Sequence, residues 1–122
     1  MSANQEIILA LKEEFIEGII HAVDERERRA AVTVKKEILI DVCRFLKDRL
    51  LFDHLTSIAS VDRSNLVMGM REKQLLYYND FEVVYHVWSH QRKTLVEVKT
   101  VVPRDSPALP TVTGIWGTAN WQ

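Results

Sequence analysis

The sequence predicts an α+β fold: a two-layer domain with an antiparallel or mixed sheet of about five strands and helices packed on one face. Three observations lead there. Apolar residues recur at helical spacing near each end of the first fifty residues and at spacing two in most of the remainder. The resulting order, α-β-β-α-β-connection-β-β-α, keeps helices apart from strands instead of alternating them strictly. The chain has 122 residues, 47% apolar and 27% charged, which suits one globular core and is unlike a disordered composition.

The first helix carries Ile7, Ile8, Leu11 and Phe15 on one stripe and Lys12, Glu13, Glu14 and Glu17 on the outer face. Ser2 with Gln5 forms a capping-box pattern, and Gly18 is the expected stop. Residues 19–23 read as a strand and 30–34 as its successor, with the charged run Asp24-Glu25-Arg26-Glu27-Arg28-Arg29 as a solvated turn between them. A second helix spans 36–50, its stripe made by Leu39, Val42, Cys43, Leu46 and Leu50 with Glu37, Lys47 and Asp48 opposite.

Residues 52–61 alternate as a third strand, with Leu55, Ser57, Ala59 and Val61 on one side and Thr56, Ile58 and Ser60 on the other. Residues 63–80 lack a clear period and read as a long connection or insertion, holding at most a short strand at 75–78. Phe81 to Ser89 is dense in β-branched and aromatic residues on both faces, so it is expected to be central and covered on both sides. After the turn His90-Gln91-Arg92-Lys93, residues 94–102 place Val96, Val98 and Val102 on one register and Glu97 and Lys99 on the other, a half-exposed antiparallel partner. Pro103, Pro107 and Pro110 punctuate an extended connector. From Thr111 a helix begins, with Thr113 as cap and Trp116 and Trp121 as its large side chains.

The chemistry the sequence excludes is wide. Sixteen Lys and Arg against seventeen Asp and Glu leave a formal charge of −1, so no basic field covers the chain. The longest apolar run, Ile7 to Leu11, is far below the roughly 20 residues of a membrane helix. The N-terminus has no basic-then-apolar leader pattern. One cysteine excludes an internal disulfide or a multi-cysteine cage, and Cys43 lies on an apolar stripe as a packed thiol. His86 and His90 are four apart across a strand and its turn, while His21 and His54 have no ligand-spaced companion, so no metal site is expected. No phosphate loop, nucleophile elbow or HExxH stands in the sequence. The binding alternative is a free-standing nucleic-acid or protein-binding α+β module; for nucleic acid, Tyr77, Tyr78, Tyr85 and Trp88 would stack bases and Arg92, Lys93 and Arg104 hold phosphates. Net charge and the lack of glycine beside those aromatics weigh against nucleic acid.

The run Phe81-Glu82-Val83-Val84-Tyr85-His86-Val87-Trp88-Ser89, the strand 96–102, the proline connector and Pro110-Thr111-Val112-Thr113-Gly114-Ile115-Trp116 through Ala119-Asn120-Trp121 resemble the C subunit, of 30 kDa type, of respiratory complex I, the proton-pumping NADH:quinone oxidoreductase. Phe52 to Asp62 is similar to the family's strand ending in Val-Asp. The resemblance covers about residues 31–122; the first thirty match only in their helix-then-strand pattern. The family pattern continues past the final Trp with an E-R-E-x-x-D stretch, so 1–122 is expected to be one domain, incomplete at its C-terminus. The 63–80 connection is longer than the family's.

The resemblance implies a non-catalytic peripheral-arm subunit with no cofactor and no metal of its own. FMN, iron–sulfur clusters and quinone would belong to partner subunits, and enzyme activity to the whole NADH:quinone oxidoreductase, a translocase. Its implied partners are the other peripheral-arm subunits, above all the hydrogenase-like D subunit. It would reach the cytoplasmic side of a bacterial membrane only through the complex. The same domain type also occurs in energy-converting hydrogenases and formate hydrogenlyase. Ile115, Trp116 and Trp121 are the expected interface residues. Those two indoles, on a helix with no C-terminal cap, are expected to be partly exposed, awaiting a partner.

Overall fold

The computed structural model describes residues 3–64, 66–77, 79–103 and 115–116. These form helix α1 (Ala3–Glu14), strands β1 (Ile19–Arg26) and β2 (Arg29–Val34), a 3₁₀ turn (Lys36–Ile38) leading into helix α2 (Leu39–Asp48), then β3 (His54–Asp62), β4 (Val67–Arg71), β5 (Gln74–Tyr77), β6 (Asp80–Ser89) and β7 (Thr94–Pro103). Five strands make one mixed sheet in the order β1-β2-β7-β6-β3, and β4-β5 makes a separate two-stranded sheet. The pairing is antiparallel except for β2 and β7, which run parallel with Ala30 opposite Val96 and Val32 opposite Val98.

The predicted stripes make the core. Ile7 and Leu11 of α1 and Leu39, Val42, Cys43 and Leu46 of α2 join one cluster with Ala30, Val32, Val34, Val83, Tyr85, Val87, Val96, Val98 and Val102. On each strand these positions alternate, so both helices lie on one sheet face. Burial pushes the Cys43 thiol up to about 12, the behaviour of an inert packed cysteine. Asn4 fixes the start of α1: its amide nitrogen donates to Asp24 Oδ1 at 2.7 Å and to the carbonyls of Arg26 and Arg29 at 2.6 and 3.1 Å. The predicted cap, Ser2, lies outside the described residues.

Several expectations are corrected. Helix α1 ends at Glu14, and Gly18 has no left-handed backbone conformation. Gly18 serves close approach instead: a Cβ there would run into Ile38 Cδ1 and sit 3.1 Å from Cγ1. The charged run is mostly strand, with the turn confined to Glu27-Arg28, because an exposed edge strand such as β1 leaves its charges in water. In β3 the register shifts between Leu55 and Ser57, so Leu55 and Ile58, not Leu55 and Ser57, turn toward the core. Within 63–80, Val67–Arg71 and Gln74–Tyr77 pair as an antiparallel hairpin, so the stretch is more regular than its sequence suggests. Strand β6 is interior, between β7 and β3, as expected, and β7 is the middle strand of the five. Strand β7 is buried along most of its length and has a neighbour on each side, in place of the expected half-exposed strand. Among the described residues no helix covers the second face of β6, and His86 and Trp88 there are half-buried.

Candidate functional site

The sheet face away from the helices carries a polar row that no sequence motif announces. Register sets Ser57 of β3 opposite His86 of β6, and His86 opposite Glu97 of β7. Ser57 Oγ lies 3.1 Å from His86 Nδ1, His86 Nε2 lies 3.2 Å from Glu97 Oε1, and Arg29 of β2 donates from Nη2 to the same Oε1 at 2.7 Å. Arg29 Nε also lies 3.3 Å from Glu25 Oε2, an ion pair without hydrogen-bond geometry. Burial pushes the Glu97 carboxyl up, but the Arg29 hydrogen bond, then the Glu25 side chain, then the charges of Arg29 and Lys99 together outweigh it, and the carboxyl titrates below its ordinary value. Glu97 is only 8% exposed and still stays ionised.

A second cluster forms where the α2–β3 junction meets the β6–β7 turn. Asp53 accepts from the His90 backbone N–H at 3.2 Å and pairs with His90 Nδ1 at 2.9 Å; the backbone bond and then the side-chain bond hold this carboxyl below its usual range. The His54 and His90 rings lie 6.0 Å apart, and Trp88 meets His90 edge-on at 6.5 Å. Lys47, Asp48, Leu51, Asp53, His90 and Gln91 line an open depression of about 610 Å³ beside them. Spacing alone leaves His54 without an acidic companion; the fold supplies Asp53 to His90 instead. Among the described residues no group of three or more His, Cys, Asp or Glu is placed to hold a metal ion.

Of the predicted interface residues, Ile115 and Trp116 are in the core cluster, 5% and 3% exposed, and Trp121 lies outside the described residues. The expected exposure of Trp116 is therefore corrected. Its indole N–H donates to the Phe52 carbonyl at 3.0 Å, and Lys47 Nζ donates to the Ile115 carbonyl at 2.5 Å, so the pair is seated on the α2–β3 junction. The stacking platform of the nucleic-acid alternative is not assembled: Tyr85 is buried in the core, whereas Trp88 lies on the opposite sheet face. Arg92 is turned inward, its Nε donating to the Leu50 carbonyl at 2.7 Å. Arg104, Tyr78 and the side chain of Tyr77 lie outside the described residues.

Residues 32–122 match the family model described as the respiratory-chain NADH dehydrogenase, 30 Kd subunit. The chain belongs to this family. Among curated proteins it is 34% identical over 123 residues to the C subunit of NADH-quinone oxidoreductase from Geobacter sulfurreducens, a match covering 99% of this chain and 68% of that one. It is 33% identical to the C subunit of F(420)H(2) dehydrogenase from Methanosarcina mazei, over 94% of this chain and 65% of that one. The chain thus spans about two thirds of the length of these relatives. Among solved structures it superposes on a chain of the membrane-bound sulfane sulfur reductase, an archaeal respiratory membrane complex, with a TM-score of 0.76 and 26% identity, covering 96% of this chain and 61% of that one. The trypsin-resistant fragment of Nqo5 aligns with a TM-score of 0.69 and 25% identity, over 94% of this chain and 84% of the fragment.

In this 30 kDa-type domain the Ser57-His86-Glu97 row has the connectivity of a nucleophilic triad without its setting. Ser57 is exposed on the edge strand β3, where water surrounds its hydroxyl, and the carboxylate that would orient the imidazole is already held by Arg29. The row cross-links four strands of the open face. Among the described residues no helix is long and apolar enough to cross a membrane.

Proposed function

We propose that the chain is a non-catalytic peripheral-arm subunit of an NADH:quinone oxidoreductase-type complex, scaffolding the hydrogenase-like D subunit beside the quinone site. The observation that supports this reading is that the charged clusters described above are closed on themselves. Glu97 is engaged by Arg29 and His86, and Asp53 by His90. A catalytic carboxylate or imidazole needs a free face toward substrate and a water-excluding wall, and neither cluster offers both. In this reading FMN, iron–sulfur clusters and quinone sit in partner subunits, and electron transfer from NADH to quinone with proton translocation belongs to the complex. The chain is held peripherally at the cytoplasmic side of the membrane through those partners. The similarity to the F(420)H(2) dehydrogenase protein supports a second reading, in which the same scaffold serves a complex fed by a donor other than NADH.

The test is affinity purification of the tagged chain from its native membranes, with quinone reduction assayed using each donor. The D subunit is expected to co-purify, and the chain released by chaotrope is expected to lack stoichiometric iron, zinc or flavin. In assembled complexes, His86→Ala and Ser57→Ala are expected to leave turnover unchanged. A loss of turnover with assembly intact would make the chain catalytic and overturn the reading.

A further inference from the structure

The residues that the fold leaves unexplained are those of the β4–β5 hairpin. It forms a sheet of its own, and no described residue of 66–77 belongs to the core cluster. Yet Leu66, Val67, Met68, Met70, Leu75 and Leu76 are all exposed, Met70 by 67%. Met70 stands opposite Leu75 in the ladder and Gly69 opposite Leu76, so alternation places apolar side chains on both faces of the ribbon. The base is fixed: Arg63 grips Asp80 with two parallel bonds, Nε to Oδ1 at 2.6 Å and Nη2 to Oδ2 at 2.7 Å, while the Arg63 N–H donates to the Asp80 carbonyl. The tip is a two-residue turn, Glu72-Lys73, both with positive φ, flanked by Arg71. A two-stranded ribbon with water on both apolar faces is marginal at best. A clamped base, two apolar flanks and a charged tip describe an arm made to be gripped from both sides.

We infer that this hairpin is a docking arm that inserts into a groove of another protein subunit of the same complex, a groove apolar on both walls and acidic where Arg71 and Lys73 arrive. The inference rests on the peripheral-arm reading above. Charge selects this occupant. A bilayer entered tip-first would have to bury Arg71, Glu72 and Lys73 deepest, whereas a protein groove takes the flanks and leaves the tip at a polar mouth. The tip carries two cations against one anion, so its complement is acidic. Area argues against a second copy of this chain, because six side chains cannot reach the ~800 Å² per partner that a stable dimer requires. They suit an extension of a larger interface already made by the domain.

The test uses the intact complex with a benzophenone amino acid at position 70 or, separately, 76, one on each face. Both positions are expected to cross-link to one and the same partner subunit, identified by mass spectrometry of the adducts. Met70→Lys with Leu76→Lys is expected to cut the fraction of complexes retaining this chain about tenfold without shifting its melting temperature. Arg71→Glu with Lys73→Glu is expected to weaken retention most at low salt. Cross-links to a second copy, to lipid, from one face alone or to nothing would overturn the inference, as would full retention of the double-lysine variant, while leaving the peripheral-arm reading intact. A chain that joins no multi-subunit assembly at all would overturn both.

Discussion

Glu97 shows how a single residue links charge to stability. Its carboxyl and that of Asp80 both titrate below their ordinary values, Glu97 because the Arg29 hydrogen bond, with Glu25 and the charges of Arg29 and Lys99, outweighs the cost of burial, Asp80 because Arg63 donates to it. A carboxyl whose folded pKa lies below its unfolded one stabilises the fold above the unfolded pKa, and that contribution disappears as pH falls through the folded value. Melting temperature should therefore hold from neutral pH down to about pH 5 and fall progressively on further acidification. Glu97→Gln with Asp80→Asn should lower it at neutral pH and flatten the acid limb. An unchanged acid limb in that variant would place the linkage elsewhere. Trp116 makes a different kind of contribution, through volume and one hydrogen bond. Trp116→Ser should cost about 3–5 kcal/mol by leaving a cavity, and Trp116→Phe about 1–3 kcal/mol by leaving the Phe52 carbonyl without its donor. Chemical denaturation measures both, and a wild-type midpoint for Trp116→Ser would show that the indole contributes nothing to the core.

At the scale of elements, local periodicity is legible in the sequence and turn chemistry is not. The stripes of α1 and α2 and the alternation of β6 are strong because each element buries one face against the same core. The β4–β5 hairpin escapes because its turn, Glu72-Lys73, holds two left-handed residues without the glycine or asparagine that normally marks that geometry. The faces of β3 come out inverted because one extra residue between Leu55 and Ser57 breaks the alternation, and nothing local in Leu-Thr-Ser signals it. Gly18 has the local look of a helix stop, yet its role is long-range contact with Ile38. Gly18→Ala should accordingly destabilise by about 1–3 kcal/mol, since Ile38 must leave its rotamer to admit the methyl. Adding Ile38→Val should restore part of the loss, whereas a C-cap role would leave the two changes additive.

For the whole molecule, the polar row is invisible in the sequence for a simple reason: its members lie on four strands, and only the sheet order brings them together. Arg29 and Glu97 are 68 residues apart and Ser57 and His86 are 29 apart, so no window of sequence contains the row. The same sheet order constrains how the chain acquires its shape. The parallel seam between β2 and β7 joins the first strand pair to the last strand described. On a ribosome the β1–β2 hairpin emerges early, with the seam side of β2 unpaired until β7 has been made. Closing such a distant pair is slow, because a long loop must be ordered before any contact rewards it. Closure of this sheet should therefore wait until β7 has left the exit tunnel. A nascent chain stalled before β7 has cleared the exit tunnel should be digested by protease from residue 19 onward, and one stalled with β7 outside should resist. Until then the apolar row Ala30, Ala31, Val32 and Val34 needs a chaperone, or a partner already in place, to keep it from pairing with a neighbouring nascent chain.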